Sequence, residues 1–155
     1  FGARFEVCDL DVCGLPVTAL PVLHGTDYVC YGYSFGEPTD RVVYLSDYTA
    51  LLPPTEALLE RWSAARQVGL LILDALLPRG SHPVHASLEE SVGLARRLRP
   101  RRCLLVGMSH AIEHEATCRE LRKLRADGLD VQLARDGQFV PFDLRGRCEK
   151  LLHPV

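Results

Sequence analysis

The stretch Gly69-Leu70-Leu71-Ile72-Leu73, closed by Asp74, decides the fold class. An apolar run with no polar alternation suits a strand covered on both faces, because a strand with one wet face shows a period of two. A second such run, Arg102-Cys103-Leu104-Leu105-Val106, follows a segment of helical spacing. That segment opens on Ser87-Leu88-Glu89-Glu90, a capping-box pattern, and we expect a helix from there to about Leu98. Strands and helices alternating in this way mark an α/β sheet.

Working outward toward the amino terminus, Cys13 to Leu23 is rich in Val, Leu and Thr and is expected as a strand ending at His24-Gly25. Val29 to Phe35 and Arg41 to Leu45 are expected as two more strands, separated by the turn Gly36-Glu37-Pro38-Thr39-Asp40. Three strands with short links form an antiparallel meander, so the whole sheet is mixed. Past Asp47, Pro53-Pro54-Thr55-Glu56 supplies prolines and a capping Thr, and Leu58, Leu59 and Trp62 recur at helical spacing. Toward the carboxyl terminus we expect a helix over about Glu113 to Ala126, closed by Gly128. Strands Val131 to Ala134 and Gln138 to Phe142 would then flank an Asp136-Gly137 hairpin turn. Residues 145–155 are expected as a short helix or frayed tail, and no repeat or linker divides the 155 residues.

A chain that is 47% hydrophobic and 25% charged has the balance of one globular domain. A net charge of −2 gives no global pull toward nucleic acid or anionic membrane. The local cluster Arg96, Arg97, Arg99, Arg101 and Arg102 reads as a solvated helix end and strand entry. No apolar run approaches the ~18 residues of a membrane span, so a soluble, cytoplasmic protein is expected. The six cysteines are scattered without a C-x-x-C pair, and their mostly apolar neighbours suggest buried thiols in a reducing compartment. The chain starts at Phe1 and its one methionine is Met108, which suggests a processed chain, a fragment or an incomplete gene model.

One acid and most of the histidines stand just past expected strand ends or in loops: Asp47, His24, His82, His85, His110 and His114. Imidazole nitrogen and carboxylate oxygen are the ligands of zinc, manganese and iron in hydrolases, and side chains at strand exits are held rigidly yet face open space. Pro83 prevents a helix at His82-Pro83-Val84-His85, so these two rings sit on a stiff loop suited to general acid work. Asp74, at the end of a buried strand, either orients such a histidine or makes ordinary loop hydrogen bonds. The phosphate-binding G-x-x-x-x-G-K-[ST] loop, the dinucleotide G-x-G-x-x-G and the G-x-S-x-G elbow are all absent. Cys30 and Cys103 fall inside expected strands, which argues against a thiol nucleophile.

Taken in order, Leu20-Pro21-Val22-Leu23-His24-Gly25, Gly32-Tyr33, Val43-Tyr44-Leu45-Ser46-Asp47, Leu71-Ile72-Leu73-Asp74-Ala75-Leu76, His82-Pro83-Val84-His85-Ala86-Ser87-Leu88 and Met108-Ser109-His110 with His114 resemble the metallo-β-lactamase superfamily. Within it the succession is most similar to the branch holding the phosphodiesterase of the carbon-phosphorus lyase pathway. That family folds as an αββα sandwich whose halves both contribute ligands to a two-metal site. Its H-x-H-x-D-H hallmark lies in the amino-terminal half and is absent here, so the resemblance, from about Phe5 to Phe142, is to the carboxyl-terminal half.

The resemblance implies that His24 is the isolated histidine ligand, Asp47 the aspartate bridging two divalent ions (zinc or manganese), and His85 the general acid. A T-H-x-S-H string supplies the family's closing ligand from its first histidine, and Gly107 stands at that position here. His110 matches the string's second histidine, as a displaced ligand or a wall of the site. Asp74, His82 and His114 are then supporting or substrate-facing residues. The implied activity is hydrolysis of a small phosphodiester-like substrate by a bridging hydroxide, with His85 protonating the leaving oxygen. A chain with two or three of the roughly seven ligands expected of two metals should be inactive alone. The alternative is a non-catalytic binding or regulatory domain that keeps the fold. Half a sandwich should expose an apolar sheet face, predicting a homodimer or a complementing amino-terminal half.

Overall fold

The computed structural model describes residues 5–142. Four antiparallel strands come first: β1 (Cys8–Val12), β2 (Leu15–Leu23), β3 (Val29–Phe35) and β4 (Arg41–Leu45). After the two-residue β5 (Ala50–Leu51) and helix α1 (Pro53–Ala64), strand β6 (Val68–Asp74) lies parallel to β4. Helix α2 (Leu88–Leu98), β7 (Arg102–Val106), helix α3 (His114–Arg122) and β8 (Val131–Leu133) extend the parallel half. The sheet order is β1-β2-β3-β4-β6-β7-β8, with β5 paired to the end of β2. It is therefore mixed, as expected, with β6 near its centre.

The apolar run in β6 is explained by its two faces. Leu71 and Leu73 are fully buried with Val43 and Leu45 of β4 and Cys103 and Leu105 of β7. They pack under Leu59 and Trp62 of α1, Leu94, Ala95 and Leu98 of α2, and Leu121 of α3. The opposite face is only partly covered. Val42, Leu70 and Leu104 are buried beneath Phe35, Val140 and Phe142, whereas Tyr31, Tyr33 and Tyr44 on the same side stay exposed. Tyr33 faces Tyr44 across β3 and β4, and Tyr44 faces Ile72 across β4 and β6.

Several expectations need correction. Cys13 and Gly14 are not strand residues but a two-residue turn with φ of 54° and 79°, the positive pair a type I′ hairpin requires. They join β2 to a strand the sequence reading missed, β1. Thr55 does not cap α1. Leu52 occupies the cap position without a side-chain bond, while Thr55 is fully buried and its hydroxyl donates to the Pro21 carbonyl at 2.7 Å. The helix expected to reach Ala126 is α only to Arg122, and its last turn, Lys123–Asp127, tightens to 3-10 before Gly128.

The turn at Asp136-Gly137 forms, but residues 138–142 make no strand. Val140 and Phe142 instead lie on Val42, Leu70 and Leu104, where burying apolar area outweighs an edge pairing. Cys8 and Cys13 are exposed rather than buried. Cys103 and Cys118 are buried, and burial pushes the Cys103 thiol up to about 12. Cys148 and the tail 145–155 lie outside the described residues. No helix among the described residues is long and apolar enough to cross a membrane.

Candidate functional site

Three separate elements deliver His24, Asp47 and His85 to one place. His24 leaves the end of β2, Asp47 follows β4, and His85 ends the loop before α2. The chain after Asp47 turns back onto β2: Thr49 N–H donates to the Leu23 carbonyl at 2.7 Å, and Gly25 N–H donates to Thr49 Oγ1 at 3.2 Å. Asp47 itself adopts a left-handed φ of 54°, a conformation Asp tolerates better than most residues. Loop residues Pro83 and Val84 come within 3.5 and 3.4 Å of where a β-carbon on Gly25 would stand, bringing the His82-to-His85 loop down beside His24. The His24 and His85 rings then meet edge to face at 5.3 Å between centroids.

One donor atom from each of His24, Asp47 and His85 lies within 4.8 Å of the others. His24 Nδ1 is buried with no hydrogen-bond partner. An unpaired buried nitrogen is costly unless something absent from the protein satisfies it, and a histidine–carboxylate set is the right chemistry for a divalent metal. The residues present therefore fit an ion at this position.

Behind the cluster lies a carboxylate–imidazole pair. Asp74, at the end of β6 and 2% exposed, places Oδ2 2.6 Å from His85 Nδ1. Asp47 Oδ1 is farther from the same nitrogen, at 3.6 Å. Burial raises the Asp74 carboxyl above its ordinary value, and the hydrogen bond and charge of His85 oppose that rise. Asp74 is held in turn: Ser91 of α2 donates from Oγ to the Asp74 carbonyl at 2.5 Å, and Tyr48 Oη lies 3.1 Å from Ser91 Oγ. Tyr48 is buried, which drives its phenol well above the usual range. Sequence reasoning missed Ser91 and Tyr48, because no local pattern marks residues that meet 43 positions apart.

With Nδ1 bound to Asp74, His85 keeps Nε2 for proton exchange. The same Nδ1 cannot donate to a carboxylate and coordinate a metal at once. The remaining histidines are placed differently. His82 stacks obliquely on His85 at 5.3 Å between centroids, and its Nδ1 accepts weakly from Val84 N–H at 3.4 Å. His110, expected as the third ligand, is exposed and outside the cluster. His114, expected to support the site, sits at the start of α3 with Nε2 3.0 Å from the Ala134 carbonyl and Nδ1 3.7 Å from Cys118 Sγ, beside β8. His114 meets these neighbours because it opens α3, beyond the loop that follows β7.

The chain's relatives agree with this architecture. A family model described as a beta-lactamase superfamily domain matches residues 2–108. A diphosphatase of the PhnP family is similar over 92% of this chain and 48% of its own, with 30% identity and a TM-score of 0.72. The short form of human tRNase Z matches over 87% of this chain and 42% of its own, at 18% identity and a TM-score of 0.55. The metallo-β-lactamase-fold protein YhfI from Bacillus subtilis matches over 84% and 51%, at 19% identity and a TM-score of 0.61. The two more distant likenesses speak for the fold alone. No curated protein sequence matches the chain. The chain thus spans about half the length of the solved structures it resembles. With a family match over most of its residues and a 30%-identical relative along nearly all of it, the protein belongs to the metallo-β-lactamase superfamily.

Proposed function

We propose that this chain carries one half of a metal-dependent hydrolase site acting on a phosphodiester-like substrate. The carrying observation is the 2.6 Å contact between Asp74 and His85 next to His24 and Asp47. His24 and Asp47 would hold the divalent ion, zinc or manganese, which when bound supplies positive charge to a phosphoryl oxygen and makes water more acidic. The protein's own part is proton management. Asp74 fixes the His85 ring and favours the proton on Nδ1, so that Nε2, once protonated, gives its proton to the departing oxygen. The 30%-identical relative is a diphosphatase, which supports phosphoryl chemistry as the substrate class.

The open sheet face bearing Tyr31, Tyr33 and Tyr44 supports a covering layer, and we assign it to a complementing amino-terminal half rather than a second copy. Five unpaired cysteines among the described residues support a reducing, cytoplasmic setting. Calorimetric titration with zinc and manganese tests the metal assignment. One weak equivalent in the wild type, lost in His24→Ala, is expected; tight binding of two equivalents by this chain alone would overturn it. A second reading, a non-catalytic domain that retains the fold, is favoured by Gly107 at the position where the resemblance calls for a histidine ligand. Phosphodiesterase activity on mixing with a separately made amino-terminal half would exclude that reading.

A further inference from the structure

We infer that the cleft between α1 and the β1–β2 hairpin binds a small carboxylate with an apolar body, held by Arg41 and Arg61. The cleft has a volume of about 690 Å³, within the range of small-molecule pockets. Strands β1 and β2 line one side, Pro38 of the turn before β4 another, and α1 the third with Ala57, Leu58 and Trp62. Arg41 opens β4, whereas Asp47 lies past its other end, so roughly 20 Å of strand separates this cleft from the histidine–aspartate cluster. It is a second site, independent of the proposed hydrolysis.

Two guanidiniums line the cleft without a salt bridge. Arg97, Arg125 and Arg135 each find a carboxylate, but Arg41 and Arg61 find none among the described residues. Arg41 Cζ stands 4.2 Å from the centroid of the Trp62 ring, a contact that engages the face of the guanidinium and leaves its in-plane N–H donors to find oxygen. Its Nε is buried with no hydrogen-bond partner. Burial pushes the guanidinium down from its ordinary value, Asp9 and, least of all, Glu37 oppose that, and the charge of Arg61 adds to it. Arg41 stays cationic all the same. A cation already stripped of part of its water and facing a like charge gains more from an anion than one in open solvent.

The rest of the lining selects the kind of anion. Asp9 is the one acid in the walls, and it accepts from Thr18 Oγ1 at 2.7 Å. Against two guanidiniums it leaves an excess of one positive charge, which suits a monoanion and disfavours a polyanion. A carboxylate also matches the paired donors of a guanidinium fork. Trp62, Leu58 and Ala57 offer apolar surface that an inorganic ion cannot cover, so the carboxylate should carry a hydrocarbon body.

Trp62 is the only tryptophan of the chain, so its fluorescence reports on the cleft directly. The full chain, freed of metal by a chelator, is titrated with cyclohexanecarboxylate, and calorimetry measures the same binding independently. Saturable binding is expected, with acetate, inorganic phosphate and the neutral cyclohexanemethanol each bound more weakly. Arg41→Gln should weaken it about tenfold or more and Arg61→Gln should weaken it too, because each removes a charged donor. Arg119→Gln, which removes an exposed charge on α3, should leave it unchanged. Should Arg41→Gln fail to fold, Ala57→Phe decides: at an exposed position on the α1 wall it fills the apolar side of the cleft and should abolish binding while both arginines remain. No saturable binding by the wild type overturns the inference, as does binding left intact by Arg41→Gln or, where that variant does not fold, by Ala57→Phe. Cyclohexanemethanol bound as well as the carboxylate, or phosphate bound better, overturns the ligand class. None of these results bears on the His24, Asp47 and His85 site, so failure here leaves the proposed hydrolysis standing.

Discussion

Leu71 and Ile72 are adjacent in β6 and point to opposite faces of one sheet, so truncating each to alanine asks which face is covered in this chain. Leu71 is fully buried between β4 and β7 and under the helices. Removing its side chain forfeits the transfer energy of three carbons and leaves a cavity that strands on both sides cannot close, a loss of about 3–4 kcal/mol. Ile72 is only partly buried, beside Tyr44 on one side and Leu104 on the other. It gives up less area to water in the wild type, and the site can relax toward solvent, so Ile72→Ala should cost about 1 kcal/mol. Urea unfolding at low protein concentration measures both, provided the slopes match, with sedimentation equilibrium to show that each variant is monomeric. A monomeric Ile72→Ala destabilised as strongly as Leu71→Ala would refute the open face, and with it the argument for a complementing half. Adding that half should then raise the cost of Ile72→Ala toward that of Leu71→Ala.

Four further outcomes follow from the same structure. Thr55→Val strips the buried donor from the Pro21 carbonyl and should cost about 1–3 kcal/mol in urea melts, although the two side chains have nearly the same shape. Ser87 caps α2 in a full capping box with Glu90, so Ser87→Ala should cost about 1 kcal/mol, while Ala86→Gly outside the box should leave amide protection in the first turn of α2 intact. Glu113 caps α3 by accepting from Ala116 and Glu115 N–H, and these bonds hold its carboxyl below the ordinary value. A depressed acid stabilises the fold above its unfolded pKa and stops doing so as pH falls through its folded one, so the stability gap between wild type and Glu113→Ala should close on acidification below about pH 4. In a complemented, active protein, Asp74→Asn should lower kcat on the order of 10²-fold with little change in KM, because Asn keeps the shape but not the charge that supports a protonated His85.

By itself the sequence determined the strands whose patterns are local. Val29–Phe35, Arg41–Leu45 and Arg102–Val106 stand where their composition put them, and the Ser87 capping box opens α2. It also located Asp47 and His24 at strand exits, since an exit is fixed by where an apolar run stops. Pairing was another matter. The hairpin at Cys13-Gly14 depended on backbone angles, and residues 138–142 abandoned a plausible strand for a bare patch on the sheet that only the assembled fold exposes. Long-range meeting was likewise invisible: Asp74 reaches His85 through a loop and Ser91 through a helix. His110 and His114 share the residue type of His85, yet His110 lies outside the cluster and His114, opening α3, meets the Ala134 carbonyl instead. Side-chain chemistry is written locally, but which side chains share a site is set by strand order and crossover geometry, which only the tertiary structure decides.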